Sequence, residues 1–344
     1  MSDSVHHFDE ARLASYLEAH IEGFQGPISA EKFAGGQSNP TFLLTTPGRQ
    51  YVLRRKPPGQ LLKSAHAVDR EYAVLEALKG TAVPVAQPYC LCEDDDVIGS
   101  MFYVMSYEPG RIFWDPALPE LEKDQRGHIF EELIRILAAM HDVDVGAVGL
   151  ADYGRPGNYF ERQLGRWTKQ YRAAETETFE AVENLINWLT DHMPADDGQV
   201  SLIHGDYRLD NIIFDANKPE ALAVLDWELS TLGHPMADLA YFCMCLRLPP
   251  VGHIKGLAGL DCDALGVPTE ADIIARYCQL RGIERIEHWT FYLAFSFFRL
   301  AAIAQGVLKR ALDGNASSEK AQQVGSMTPV LAQLAMDMIT EEQH

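Results

Sequence analysis

The sequence predicts an α+β chain in two lobes, a small β-rich lobe over residues 1–107 and a larger α-helical lobe over residues 108–344. Three observations carry that prediction. Residues 28–107 hold about five short apolar runs divided by turn residues, with one helical stretch among them. After Glu108-Pro109-Gly110 the pattern changes to long segments with the 3.6-residue period of helices. A strand-rich island at 201–226 then interrupts the helices and ends on an acid.

The elements follow in order. Residues 9–22 have an amphipathic helical rhythm, with Leu13, Tyr16, Leu17 and Ile21 on the apolar side. FLLTT and YVLRR flank the turn PGRQ and read as a hairpin. AVDREYAVLEAL, Ala67 to Leu78, reads as a helix with Val68, Tyr72, Leu75 and Leu78 along one side; Pro84 and Pro88 stop it. CLCE and MFYVMSY are strand candidates joined by the acidic turn EDDDVIGS. Helices are expected over Leu121–His141, Tyr159–Ala173 and Glu180–His192, with more after the island. The stripe Trp289, Phe291, Tyr292, Phe295, Phe297, Phe298 and Arg299 reads as core packing, with the lining of an acceptor cleft by a few of its members as the alternative.

Composition narrows the function. The net charge of -20, from 49 acidic and 29 basic residues, argues against a general nucleic-acid binder, which needs cations to neutralise phosphates. It suits solubility, and it would steer a cationic substrate. Of the cysteines at 90, 92, 243, 245, 262 and 278, the first four fall in two C-x-C pairs that do not match zinc spacing, so buried free thiols and a reducing compartment are expected. No run of eighteen uncharged apolar residues occurs, and the acidic N-terminus does not read as a secretory signal. The expectation is a cytoplasmic protein without a membrane partner.

The chemistry lies in SLIHGDYRLDNIIFDANKPEALAVLDWE, residues 201–228. LIHGD is a strand entering a loop, NIIF a strand, and ALAVLDW a strand ending in an acid. The hairpin closed by DANKPE would present Asp206, Asn211 and Asp226 at one end. Phosphoryl transfer requires positioning and charge neutralisation more than covalent chemistry. One carboxylate must take the acceptor's proton, while an amide oxygen and a second carboxylate hold Mg²⁺, a cation that prefers oxygen ligands. Asp206, Asn211 and Asp226 supply that set.

H-G-D-x₄-N, followed fifteen residues after the Asn by L-D-W, resembles the aminoglycoside phosphotransferase family, which includes choline-kinase-like enzymes. The longer text, GGQSNPTF…YVLRRKPPG…REY…HGDYRLDNIIF…VLDWELSTLGHPMADLAY, is similar to the kinase-like domain associated with certain acyl-CoA dehydrogenases. The resemblance covers most of residues 28–242. It implies a two-lobed, protein-kinase-like fold and a kinase that uses ATP and Mg²⁺ to phosphorylate a hydroxyl group of a small molecule, with a possible functional link to an acyl-CoA dehydrogenase. It implies Asp206 as the base, Asn211 and Asp226 as Mg²⁺ ligands, His204 as support for the loop, and Asp238 as its hydrogen-bonding anchor.

On the nucleotide side, Gly35, Gly36, Gln37, Ser38 and Asn39 lie between strand candidates, where backbone N–H groups can meet phosphates. Kinases carry a Lys on the next strand; YVLR has Arg54 there, with Lys56 two residues on as the alternative. Glu71 of REYAVL is the expected partner. MSYEPG fits an adenine-binding hinge, with Met105 and Tyr107 lining the pocket. For the acceptor, the dehydrogenase-associated branch implies a hydroxyacyl-CoA or related metabolite, and the wider family an aminoglycoside or amino alcohol. A pseudokinase, binding nucleotide without turnover, is the non-enzymatic alternative, and Arg54 is its support. Arg162, Arg166 and Lys169 form a basic strip that suits either an anionic acceptor or pairing with the chain's own acids.

Overall fold

The computed structural model describes residues 8–33, 39–57, 67–252, 254–313 and 318–342. The chain forms two compact units. The first takes residues up to 112 with 146–150 and 210–230; the second takes 113–145, 151–209 and 231–344.

The first unit is built on an antiparallel sheet of five strands, numbered in chain order: β1 (Ser29–Lys32), β2 (Thr41–Thr45), β3 (Gln50–Arg55), β4 (Pro88–Cys92) and β5 (Phe102–Ser106). Their order is β1-β2-β3-β5-β4. The β2–β3 hairpin runs in register from Thr41 opposite Arg54 to Thr45 opposite Gln50, around the expected turn. Helix α1 (Glu10–His20) begins at Asp9, whose carboxylate accepts hydrogen bonds from Ala11 and Arg12 N–H and so caps two unpaired donors. It buries Leu13, Ala14 and Leu17. Helix α2 (Val68–Leu78) turns Val68, Glu71, Val74, Leu75 and Leu78 inward, a helical spacing that puts a carboxylate on the buried face.

The acidic turn at 93–100 contains a four-residue helix, α3 (Asp95–Ile98), capped by Asp94 and ended by Gly99 in the left-handed conformation. Four residues are too few for periodicity to register. A second sheet has the order β6-β8-β9, with β6 (Gly110–Arg111), β8 (Ile212–Asp215) and β9 (Ala221–Val224). A side chain at Gly110 would run into Phe214 O and Ile213 Cγ2, which explains the glycine that ends EPG.

The second unit is helical. Helices α4 (Lys123–His141), α5 (Tyr159–Ala174) and α6 (Glu180–Asp191) lie within two residues of their expected bounds. They are followed by α7 (Met236–Leu246), α8 (Cys262–Leu265), α9 (Glu270–Arg281), α10 (Trp289–Leu312), α11 (Ser318–Gly325) and α12 (Met327–Glu341). Strand β7 (Ser201–Ile203) pairs antiparallel with β10 (Thr231–Gly233). LIHGD thus runs from a strand into a loop, as expected, with β10 as the strand's partner.

Helix α10 is the axis of this unit, packed against α5, α7, α11 and α12. Phe291, Tyr292, Phe295, Phe297 and Phe298 are all buried, which bears out the core reading of the aromatic stripe. By length and composition α10 could cross a bilayer, yet 72% of its most apolar window is buried within the protein. All six cysteines are free, and all but the half-buried Cys262 are buried.

Candidate active site

In the first unit, the β8–β9 hairpin brings Asn211 and Asp226 together. Ile212 stands opposite Val224, and Leu225 N–H donates to Asn211 O at 2.8 Å, so the two residues flank the same end of the hairpin. Asp226 adopts φ 62° and ψ 58°, a left-handed conformation that Asp tolerates better than most residues. An amide oxygen and a carboxylate held at one hairpin end are hard donors. Donors of that kind suit a divalent cation such as Mg²⁺.

Arg54 on β3 joins this end to α2. Its Nη2 donates to Asp226 Oδ1 at 2.7 Å and lies 3.8 Å from Glu228 Oε2. Its Nε stands 2.9 Å from Glu71 Oε2, within ion-pair range but misaligned for a hydrogen bond. Lys56, the alternative, lies 3.8 Å from Asp69 instead. Glu71 has further partners: Asn39 Nδ2 donates to Oε1 at 2.8 Å, and Tyr103 O–H to Oε2 at 3.1 Å. Burial pushes the Glu71 carboxyl up to about 7 against the pull of Arg54. Burial also works against the Arg54 charge, yet Glu71 and Asp226 hold its guanidinium above its ordinary value.

Asn39, expected in the phosphate loop, is fully buried and committed to Glu71. Gly35, Gly36, Gln37 and Ser38 lie outside the described residues. Met105 is buried in β5 opposite Val52, and Tyr107 is half-buried just past the strand. Next to them, Ser106 Oγ accepts from Gln87 N–H at 2.8 Å.

In the second unit, the loop leaving β7 presents Asp206. Asp238, fully buried on α7, accepts from His204 N–H at 2.6 Å and from Gly205 N–H at 2.8 Å, the anchoring expected of it. Burial opposes the Asp238 charge, but His141 and the loop N–H groups hold its carboxyl below the ordinary range. His141 Nε2 lies 3.5 Å from Asp238 Oδ2, and its Nδ1 is 2.7 Å from Tyr277 O–H. His204 Nδ1 accepts from Asp206 N–H at 3.2 Å. Beyond the acid, Tyr207 O–H donates to Leu133 O at 2.7 Å. Arg208 Nε lies 3.1 Å from Asp206 Oδ1.

The sequence does not assign Arg208 or Tyr103 to the site, and it places Arg299 only in the core stripe of a late helix. Arg208 sits inside the motif, and Tyr103 two residues before Met105, so proximity to the site was their only signal. Arg299, which donates to Gly205 O, is far from the motif in the chain. The basic strip on α5 is partly occupied, since Arg162 donates to the carbonyls of Arg155 and Pro156.

Comparison with known proteins adds a second line. Residues 29–259 match a family model described as the phosphotransferase enzyme family. The chain is 48% identical over 334 residues to acyl-CoA dehydrogenase family member 10 of Mus musculus, covering 95% of this chain and 31% of that protein. It thus spans about a third of that relative's length. A crystal structure of a Ralstonia eutropha protein, provisionally named an aminoglycoside phosphotransferase, superposes with a TM-score of 0.90 at 49% identity, over 97% of this chain and 99% of that one. A spectinomycin phosphotransferase solved with ADP and spectinomycin shares the fold, with a TM-score of 0.63 at 12% identity over 96% of this chain and 98% of that one.

Proposed function

The chain belongs to the phosphotransferase enzyme family and carries its kinase-like fold, and from that premise we propose that it transfers the γ-phosphoryl group of ATP to a hydroxyl of a small molecule. The observation that carries this reading is the bridge from Glu71 through Arg54 to Asp226, with Asn211 tied beside it. In the proposed reaction the bond from the γ-phosphorus to the bridging oxygen breaks and ADP leaves. A new bond forms to the acceptor oxygen, whose proton passes to Asp206. Asn211 and Asp226 would hold Mg²⁺, which neutralises charge on the phosphates when bound. Arg54 would turn from Asp226 toward the α/β-phosphates while Glu71 keeps it on the sheet, and Met105 and Tyr107 would line the adenine pocket.

For the acceptor we propose a hydroxyacyl-CoA or related metabolite. The support is the name of the relative, together with its length: two thirds of that protein lies outside the matched region. The Ralstonia protein's provisional name favours a second reading, an aminoglycoside or amino alcohol, and the net charge of -20 suits such a cation. Free cysteines agree with a cytoplasmic setting.

A phosphorylation screen with labelled ATP over hydroxyacyl-CoAs, amino alcohols and aminoglycosides tests the proposal. Transfer to one class is expected, with Asp206→Asn lowering turnover roughly 10²–10⁴-fold, the usual share of a general base. Equal turnover in both proteins would remove Asp206 from the role. Nucleotide binding without transfer to any class would leave the pseudokinase.

A further inference from the structure

The Gly205–Asp206 peptide is held at both of its polar ends. Its carbonyl accepts a hydrogen bond from Arg299 Nη2, and its N–H, that of Asp206, donates to His204 Nδ1 at 3.2 Å. The residue before it, Gly205, has φ 83° and is itself tied by its N–H to Asp238 at 2.8 Å. Glycine moves between backbone conformations at little steric cost, so this hinge keeps one orientation only through outside contacts.

We propose that Arg299 is a positioning residue for the catalytic base: by holding the Gly205 carbonyl it fixes the peptide from which Asp206 projects. This rests on Asp206 being the base. Arg299 lies 94 residues from Gly205 and beyond residue 259, where the family match ends.

Its surroundings call for an explanation that packing does not give. Arg299 is 8% exposed, between the buried Phe298 and Ala301 of α10, and among the described residues no carboxylate lies within ion-pair distance of it. A buried cation without an anion is costly, and an apolar residue would serve a core helix better. Its guanidinium instead sits 5.2 Å from the Tyr241 ring and 5.7 Å from the Trp167 ring, which supply cation–π attraction and steer the side chain. Tyr241 stands one helical turn after Asp238 on α7. One face of α7 thus takes the Gly205 N–H directly, through Asp238, and braces the arginine that takes its carbonyl. Without Arg299 the peptide keeps only the 3.2 Å bond from Asp206 N–H to His204 Nδ1, so it and Asp206 gain freedom to rotate. A displacement of about 1 Å at a reacting group can cost roughly 10²-fold in rate.

The test uses the full chain with Arg299→Met and Arg299→Ala, read in two ways. Hydrogen exchange by mass spectrometry is expected to rise in peptides covering 202–209 and to stay unchanged over α4 and α9. ADP formation from MgATP, alone and with the hydroxyacyl-CoA panel, is expected to lose about 10²-fold in kcat with KM for ATP unchanged. In Arg299→Ala, guanidinium ion added at millimolar concentration should restore part of it. Wild-type exchange at 202–209, or exchange raised across the whole second unit, overturns the proposal, and the exchange measurement decides it even where no ADP forms. Loss of kcat without guanidinium rescue or local exchange also counts against it. If Asp206→Asn alone leaves ADP formation unchanged, the reading of the base fails instead.

Discussion

Glu71 shows how one buried side chain sets the chemistry around it. Its carboxylate gathers Asn39, Tyr103 and Arg54, and burial still pushes its pKa from 4.5 to about 7. A carboxyl raised on folding binds its proton more tightly in the native state. Its stabilising contribution is therefore complete below about pH 4.5 and is lost as pH rises through about 7. Denaturant unfolding of wild type and Glu71→Gln from pH 4.5 to 8 should show wild type losing up to about 3 kcal/mol relative to the variant, at ~1.4 kcal/mol per pH unit. Parallel pH curves would mean that Arg54 holds Glu71 ionised throughout. MgATP should flatten the difference if it draws Arg54 away from Asp226.

At the scale of elements, the β8–β9 hairpin would act as a two-ligand holder in the proposed reaction. Asp226 stays in the left-handed region, and Asn is among the few side chains that accept that backbone. Asp226→Asn should therefore keep the fold while removing the charge proposed to meet a divalent cation. Calorimetric titration of ADP with and without Mg²⁺ should show the cation's gain in affinity lost in the variant, and an undiminished gain would exclude Asp226 as a ligand. The hairpin was legible in the sequence because Asn211, its two strands and Asp226 are nearly consecutive. Strands β6 and β10 were not, since two or three residues cannot display alternation. Asn39 was legible only in part: three residues after Gly36 it looks like a loop residue, and nothing in the sequence shows that its side chain turns in to Glu71.

For the whole molecule, 49 acidic against 29 basic residues surround a site expected to take a polyanionic nucleotide. Long-range repulsion should slow encounter at low salt. Raising ionic strength from about 0.01 to 0.15 M shortens the screening length from roughly 30 to 8 Å. Stopped-flow association of a fluorescent ADP analogue should accelerate over that range; slowing would show that Arg54 and its neighbours outweigh the global field. The change of period after Gly110 falls close to Ile112, where the first segment of the first unit ends. The return of 210–230 to the first unit was not readable in the sequence, because it rests on strand pairing between Gly110–Arg111 and Phe214–Asp215, about a hundred residues apart.

Helix α10 has a bearing on biosynthesis as well. While the chain is being made, the segment Trp289–Leu312 can present itself as a bilayer-spanning stretch before its packing partners have formed around it. Arg299 stands near its midpoint, where an arginine adds roughly 2.5–3.5 kcal/mol to the cost of insertion by the translocon. The guanidinium assigned here to orienting Asp206 would also mark that stretch as a poor passenger for the membrane.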